Sequence, residues 1–185
     1  MRNLDSSRIE AGLPDPSAIR GRYFVDATDT VIVAVEEERT WSPAPRTWLY
    51  SRRANESRYS KLFGPDDRTD VDSFAIAQLT GDVFVLGRKL SGDGLAANLP
   101  EVVCIGTPHG EPRVVIAEGA VRGRWVRELL HSSEDGATLT VVLGARHDVM
   151  DVERDIAYVA QYAIARIRLH DLAITDLAEL PGMFF

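Results

Sequence analysis

The stretch VMDVERDIAYVAQYAIARIRL, residues 149–169, has the most regular spacing of apolar residues in the chain. Its apolar residues recur in steps of three and four, which predicts one long amphipathic helix. Asp148 is a suitable N-cap, and Asp151 and Glu153 add negative charge in the first turn, where the helix dipole favours it. The wider apolar face of this helix would carry Val149, Val152, Ile156, Val159, Ala160, Ala163, Ile164 and Ile167.

The same helix would carry a second, narrower apolar stripe, formed by Tyr158, Tyr162, Ala165 and Leu169. One apolar face can pack on the core of the domain, whereas a second face needs another element, a ligand or a partner chain to cover it. Tyrosine suits a covered surface that is not fully dry, because its ring packs while its hydroxyl reaches a polar partner. We therefore expect Tyr158, Tyr162 and Leu169 to form an interface with a second copy, or to be covered by residues 1–21 or 183–185.

The residues before this stretch predict strands joined by short links. Strands are expected at 22–26, 30–35, 46–52, 73–79, 83–90, 101–106, 113–118 and 138–143, and a strand or a short helix at 125–130. Pro43 and Pro45 are expected to interrupt the sheet because proline cannot donate to a ladder. The links are too short for helical crossovers, which favours antiparallel pairing. The predicted fold is α+β, with an antiparallel sheet of seven or eight strands, flat or curled toward a barrel, packed on the long C-terminal helix.

The predicted domain organisation is a surface leader at residues 1–21 followed by one domain at residues 22–185. The polar, charged segment 53–72 contains Gly64 and Pro65 and is interpreted as a mobile loop. Thr175 is expected to cap a last short helix that ends before Pro181.

Composition limits the class of protein. A hydrophobic fraction of 45%, a charged fraction of 26% and 185 residues fit an ordinary soluble domain. No apolar run reaches the roughly 20 residues of a membrane span, and the N-terminus lacks a signal-peptide pattern, so a cytoplasmic protein without membrane contact is expected. The net charge of -7 argues against general binding to nucleic acid. The single cysteine excludes an intrachain disulfide and a cysteine-based zinc site.

Two candidate sites involve histidine. Cys104, His109 and Glu111 could act as nucleophile, base and orienting carboxylate, although a cysteine in an apolar strand more often fills space. His147 and Asp151 are four residues apart at the start of the predicted helix and could bind a divalent cation. Capping explains the acidic residue without any metal, so we expect no metal and no cofactor.

A third candidate site is rich in arginine. Arg113, Arg122, Arg124 and Trp125 could bind a phosphate or carboxylate through forked hydrogen bonds, with stacking on the indole. A solvated strand edge is the simpler interpretation. The sequence does not show whether these arginines converge.

Three functions remain open from the sequence. The first, which we favour, is a non-catalytic binding or assembly module that is homo-oligomeric through the C-terminal helix. The second is a small enzyme acting on an anionic substrate, with arginine binding and histidine moving protons. The third is a small-molecule binder with a cavity inside the curled sheet.

Overall fold

The protein is built almost entirely of antiparallel β-strands. The computed structural model describes residues 11–14, 16–39, 42–64, 69–89, 100–106, 111–117, 120–145, 159–160, 162–180 and 183–184. In this part of the chain the helical structure consists of short 3-10 segments, namely Pro16–Ala18, Asp26–Thr28 and the single residue Ala117.

The strands form three consecutive sheets and one short pair. The first sheet has the order β1 (Ile19–Val25), β2 (Thr30–Arg39), β3 (Ser42–Arg53), β4 (Ser60–Phe63). The second sheet has the order β5 (Thr69–Ile76), β6 (Asp82–Lys89), β7 (Pro100–Gly106), β8 (Arg113–Ile116). The third sheet contains β9 (Ala120–Val121), β10 (Arg124–Ser132), β11 (Thr138–Ala145), β13 (Tyr162–Arg168) and β14 (Ala173–Glu179), in the order β14-β13-β11-β10-β9. The strands β12 (Val159–Ala160) and β15 (Met183–Phe184) pair with each other.

The second sheet lies between the other two, and its central strands are buried on both faces. Alternate residues of its central strands point to opposite sides, as the pleat requires. Val83 and Val85 belong to the apolar cluster shared with the first sheet, whereas Phe84 and Leu86 belong to the cluster shared with the third. Continuous apolar runs such as the one in β6 are typical of strands that are covered on both sides.

The far face of the first sheet is also covered. Val33 and Val35 are 0% and 2% exposed there and pack with Tyr59. Leu13 and Ile19 from the preceding segment join this cluster, and the backbone N–H of Tyr59 donates to the carbonyl oxygen of Ala11 at 2.8 Å. The N-terminal part of the described chain therefore covers this end of the stack.

The predicted long C-terminal helix is wrong, and so is the α+β class that depends on it. Residues 162–168 form β13, which is paired on one side with β11 and on the other with β14. Ala163 and Ile167 face the core, whereas Ile164, placed on the same helical stripe by the prediction, faces the opposite way and is 37% exposed. Buried and exposed side chains alternate along this segment, and its backbone forms hydrogen bonds with the strands on both sides. These tertiary contacts outweigh the weak intrinsic preference of its residues for a helix. Residues 146–158 lie outside the described residues.

Two smaller expectations are also corrected. The expected helix after Thr175 is strand β14. Pro43 and Pro45 do not end the sheet, because β3 includes them. The partner β4 reaches only residues 49–51 of β3, so the prolines lie where β3 is an edge strand and a missing donor is tolerated.

Several strand predictions are confirmed as antiparallel strands, among them those in β2, β6, β7 and β11. The segment predicted as strand or helix at 125–130 is part of β10. The proposed boundary at residue 21 and the loop at 53–72 stay predictions, although β1 begins at Ile19 and β4 lies inside the second range. In the described part of the chain, no helix is long and apolar enough to cross a membrane.

Candidate functional site

The third sheet has one face against the second sheet and one face turned away from it, here called the outer face. Antiparallel register places Glu128, Val142, Ile164 and Ala178 in one row across this face. Ile164 is 37% exposed, and Leu130 in the adjacent bulge of β10 is 44% exposed. None of the three apolar clusters among the described residues includes Leu130, Val142 or Ile164. Within the described residues, the outer face therefore presents apolar side chains without an apolar layer over them.

Aromatic side chains lie in the next row of the outer face. Trp125 and Tyr162 both pair with Gly144 across the ladder and are half-buried. The guanidinium of Arg127 lies 5.4 Å from the centre of the Trp125 ring, within range of a cation–π contact. Arg127 Nε is buried with no hydrogen-bond partner in the described structure. Because Gly144 has no side chain, the side chains of Arg127 and Tyr162 can pack over it.

Charges of both signs surround the apolar part of the outer face. Arg166 pairs with Asp176 in register across β13 and β14. Glu128 and Arg127 lie on β10 at the other side. An apolar centre with a mixed charged rim is the usual arrangement of a surface that docks another protein.

A separate cleft lies where the second and third sheets meet. Its volume is about 400 Å³, and it is lined by Arg113, Val114, Val115, Gly136, Ala137, Leu169 and His170. The walls are tied together by the N–H of Leu169, which donates to the carbonyl oxygen of Ala137 at 2.9 Å. The cleft thus combines one permanent positive charge, one imidazole and apolar walls.

The turn that carries His170 is organised by an ion pair. Arg168 donates Nε and Nη2 to the two carboxylate oxygens of Asp171 at 3.0 and 2.7 Å. These hydrogen bonds hold the pKa of Asp171 well below its usual range. His170 Nε2 lies 3.7 Å from Asp171 Oδ2. The Asp171 carboxylate therefore anchors the turn and stays ionised.

Cys104 is buried in β7 beneath Arg113. Arg113 Nη2 lies 3.6 Å from Cys104 Sγ. Burial raises the pKa of the Cys104 thiol to about 11, with a smaller contribution from the charge of Asp82. Because the thiolate is the reactive form of cysteine, this environment disfavours a nucleophilic role at neutral pH. His109 lies outside the described residues, and Glu111 is exposed, so the predicted catalytic trio stays a prediction.

The predicted arginine site is divided between two places. Arg124 is at the start of β10 and forms an ion pair with Glu179 at 2.7 Å, which raises the pKa of Arg124. Arg122 lies in the preceding turn with a φ of 51°. Arg113 lines the cleft beside the turn that follows β10, whereas Arg124 is at the other end of that strand.

The predicted interface residues do not share a face. Tyr162 is on the outer face, whereas Leu169 packs against the apolar cluster between the second and third sheets. Tyr158, His147 and Asp151 lie outside the described residues. No group of metal-ligating side chains occurs in the described part of the chain.

Two features were missed from the sequence. The position of Ile164 on the outer face could have been inferred from the alternation of residues 162–168. His170 in the cleft had no local signal, because it is brought to Arg113 by the packing of two sheets.

Comparison with known proteins finds similarity in structure and not in sequence. No protein-family model matches this chain, and no curated protein matches it in sequence. Acylaminoacyl peptidase from Pyrococcus horikoshii, in its orthorhombic crystal form, matches with a TM-score of 0.56 and 9% identity over 89% of this chain. The uncomplexed form of that enzyme gives a TM-score of 0.56 with 10% identity and the same coverage. An acylaminoacyl peptidase in complex with Z-Gly-Gly-Phe-chloromethyl ketone gives 0.54 with 10% identity over 95% of this chain.

These structural neighbours are β-propeller-like chains. This chain spans 25–26% of their length. At such low identity the similarity concerns the fold alone. It agrees with three consecutive antiparallel sheets that stack face to face, as the blades of a propeller do.

Proposed function

We propose that this protein is a non-catalytic assembly module that pairs with a second copy of itself through the outer face of its third sheet. The observation that carries the proposal is the difference between the sheets. On the first and second sheets the exposed large apolar residues, Tyr23, Phe24 and Val114, lie on the edge strands β1 and β8. On the third sheet, Leu130 and Ile164 lie on the inner strands β10 and β13 and are nevertheless 44% and 37% exposed.

The fold supports a further β-sheet as the occupant of this face. In the described structure, two apolar clusters lie between neighbouring sheets, one between the first and second and one between the second and third. In both, the side chains of one antiparallel sheet pack against those of the next. Propellers contain at least four such sheets, and the described residues of this chain form three. A fourth layer is therefore the covering that fits the shape of the outer face.

The charge pattern supports a second copy as the source of that layer. A surface whose charged residues all have the same sign repels a second copy of itself. The outer face instead carries charges of both signs, namely Arg127, Arg166, Glu128 and Asp176. A two-fold symmetric pairing brings each patch against its equivalent and can match acids with bases. The apolar residues Val142 and Ile164 would then lie at the centre.

The test is the mass of the protein in solution, measured by light scattering during size-exclusion chromatography. The wild-type protein should have twice the 20.4 kDa mass of one chain. Ile164→Arg should be monomeric, because it places an unpaired charge in the apolar centre of the interface.

The matched control is Leu79→Arg, the same kind of change at a residue that is 66% exposed in the turn after β5. This variant should remain a dimer. A monomeric wild-type protein at the highest attainable concentration, or equal loss of the dimer in both variants, would contradict the proposal.

A further inference from the structure

The cleft between the second and third sheets is distinct from the outer face. Its residues come from β8, the turn between β10 and β11, and the turn between β13 and β14. The turn at 133–137 is held by Gly136 N–H, which donates to Ser133 O at 2.9 Å, and by Ala137 N–H, which donates to Asp135 Oδ1 at 3.0 Å. The cleft is therefore formed before any ligand arrives.

The polar groups of the cleft come from different elements. Arg113 is on β8 of the second sheet, and His170 is in a turn of the third. The guanidinium of an arginine is always charged, and the neighbouring Cys104 is a buried neutral thiol that adds no opposing charge. A guanidinium has five N–H donors, and the contact with Sγ uses one of them.

Three of the nearby carboxylates have partners of their own. Arg168 binds both oxygens of Asp171, and Ser133 donates to Asp135 at 2.6 Å. Asp82, on the far side of the Cys104 thiol, accepts a hydrogen bond from Thr80 at 3.1 Å. These three carboxylates are therefore engaged elsewhere, and the remaining N–H groups of Arg113 can donate to an external anion.

We propose that this cleft binds a small carboxylate with an apolar body, with Arg113 as its anchor and His170 as a second donor. The guanidinium fork matches the geometry of a carboxylate. Val115 and Leu169 supply apolar walls for the body of the ligand. A volume of about 400 Å³ is within the range of small-molecule sites.

The experiment is an NMR titration of the ¹⁵N-labelled protein with benzoate. Saturable shifts are expected at residues 113–116, 136–137 and 169–170. Benzamide, which has the same ring without the charge, should produce no saturable shifts. Inorganic phosphate should bind more weakly than benzoate because it cannot use the apolar walls.

Variants identify the anchor. Arg113→Gln should raise the Kd for benzoate by about tenfold or more, as expected for loss of a charge-assisted hydrogen bond. His170→Gln should raise it less, because the His170 side chain is 71% exposed. Arg58→Gln makes the same charge change at an exposed residue of the first sheet's loop and should leave the Kd unchanged.

Each alternative outcome is informative. Absence of saturable shifts, equal binding of benzamide, equal or tighter binding of phosphate, or equal effects of Arg113→Gln and Arg58→Gln would overturn the proposal. The titration does not depend on dimer formation, so failure of either proposal leaves the other to be judged on its own result.

Discussion

Gly144 lies under the ring of Tyr162, whose Cε1 atom is 3.2 Å from the position that a β-carbon on Gly144 would occupy. The Nε and Cγ atoms of Arg127 are 2.8 and 3.1 Å from the same position. These contacts leave no room for a side chain, so the glycine determines how the aromatic and cationic groups of the outer face pack.

The first prediction concerns this contact. Gly144→Ala should destabilise the protein by about 1 kcal/mol, because the new methyl group displaces Arg127 from its position. In an Arg127→Ala background the same change should be neutral or stabilising by up to about 1 kcal/mol, since alanine then only reduces the freedom of the unfolded strand. Urea unfolding of the four proteins measures the coupling. Additive effects of the two changes would show that the contact is absent.

The second prediction concerns the core between the second and third sheets. Phe84 is fully buried there, whereas Phe24 on β1 is 50% exposed. Phe84→Ala should lower the free energy of unfolding by about 3–5 kcal/mol, because it removes buried apolar surface and leaves a cavity. Phe24→Ala should lower it by less than about 1 kcal/mol. Equal losses in chemical denaturation would contradict the stacking of these two sheets.

The third prediction concerns pH. The Cys104 thiol has a pKa of about 11 in the folded protein, whereas in the unfolded chain its pKa should be near 8.5. Between these values the folded state holds the proton and the unfolded state does not, so stability must fall as the pH rises. Below the unfolded pKa this contribution is fully present. Above the pKa of the folded state the contribution is lost completely, which lowers the free energy of unfolding by about 3 kcal/mol.

The measurement is the difference in unfolding free energy between the wild-type protein and Cys104→Ala across this pH range. Because other alkaline groups titrate in both proteins, their effects largely cancel in the difference. The advantage of the wild type should shrink as the pH rises from about 8.5 to 11. A difference that stays constant would mean that the thiol is not held in its protonated form.

Local alternation was enough to predict much of the β-structure. Residues 138–143 place Leu139, Val141 and Leu143 on one side, and all three are fully buried. The same rule applied to residues 162–168 would have predicted β13. This strand pattern was obscured because apolar residues also recur in steps of three and four along the longer stretch that begins at Val149.

The cleft could not be predicted from the sequence. Arg113 and His170 are far apart along the chain and meet through the packing of the second sheet on the third. Likewise, Arg124 and Arg113 are close in sequence but belong to different sheets, and one of them is bound to Glu179. Pairing between strands and packing between sheets, which no local pattern records, decide which of these charges converge.

The most direct test of the assembly proposal is an isotope-filtered NMR measurement on a mixture of ¹³C-methyl-labelled and unlabelled protein. Cross peaks between copies are expected at the methyl groups of Val142 and Ile164, and those at Val142 should disappear in Ile164→Arg. Absence of any intermolecular cross peak at these methyl groups in the wild-type protein would contradict docking through the outer face of the third sheet.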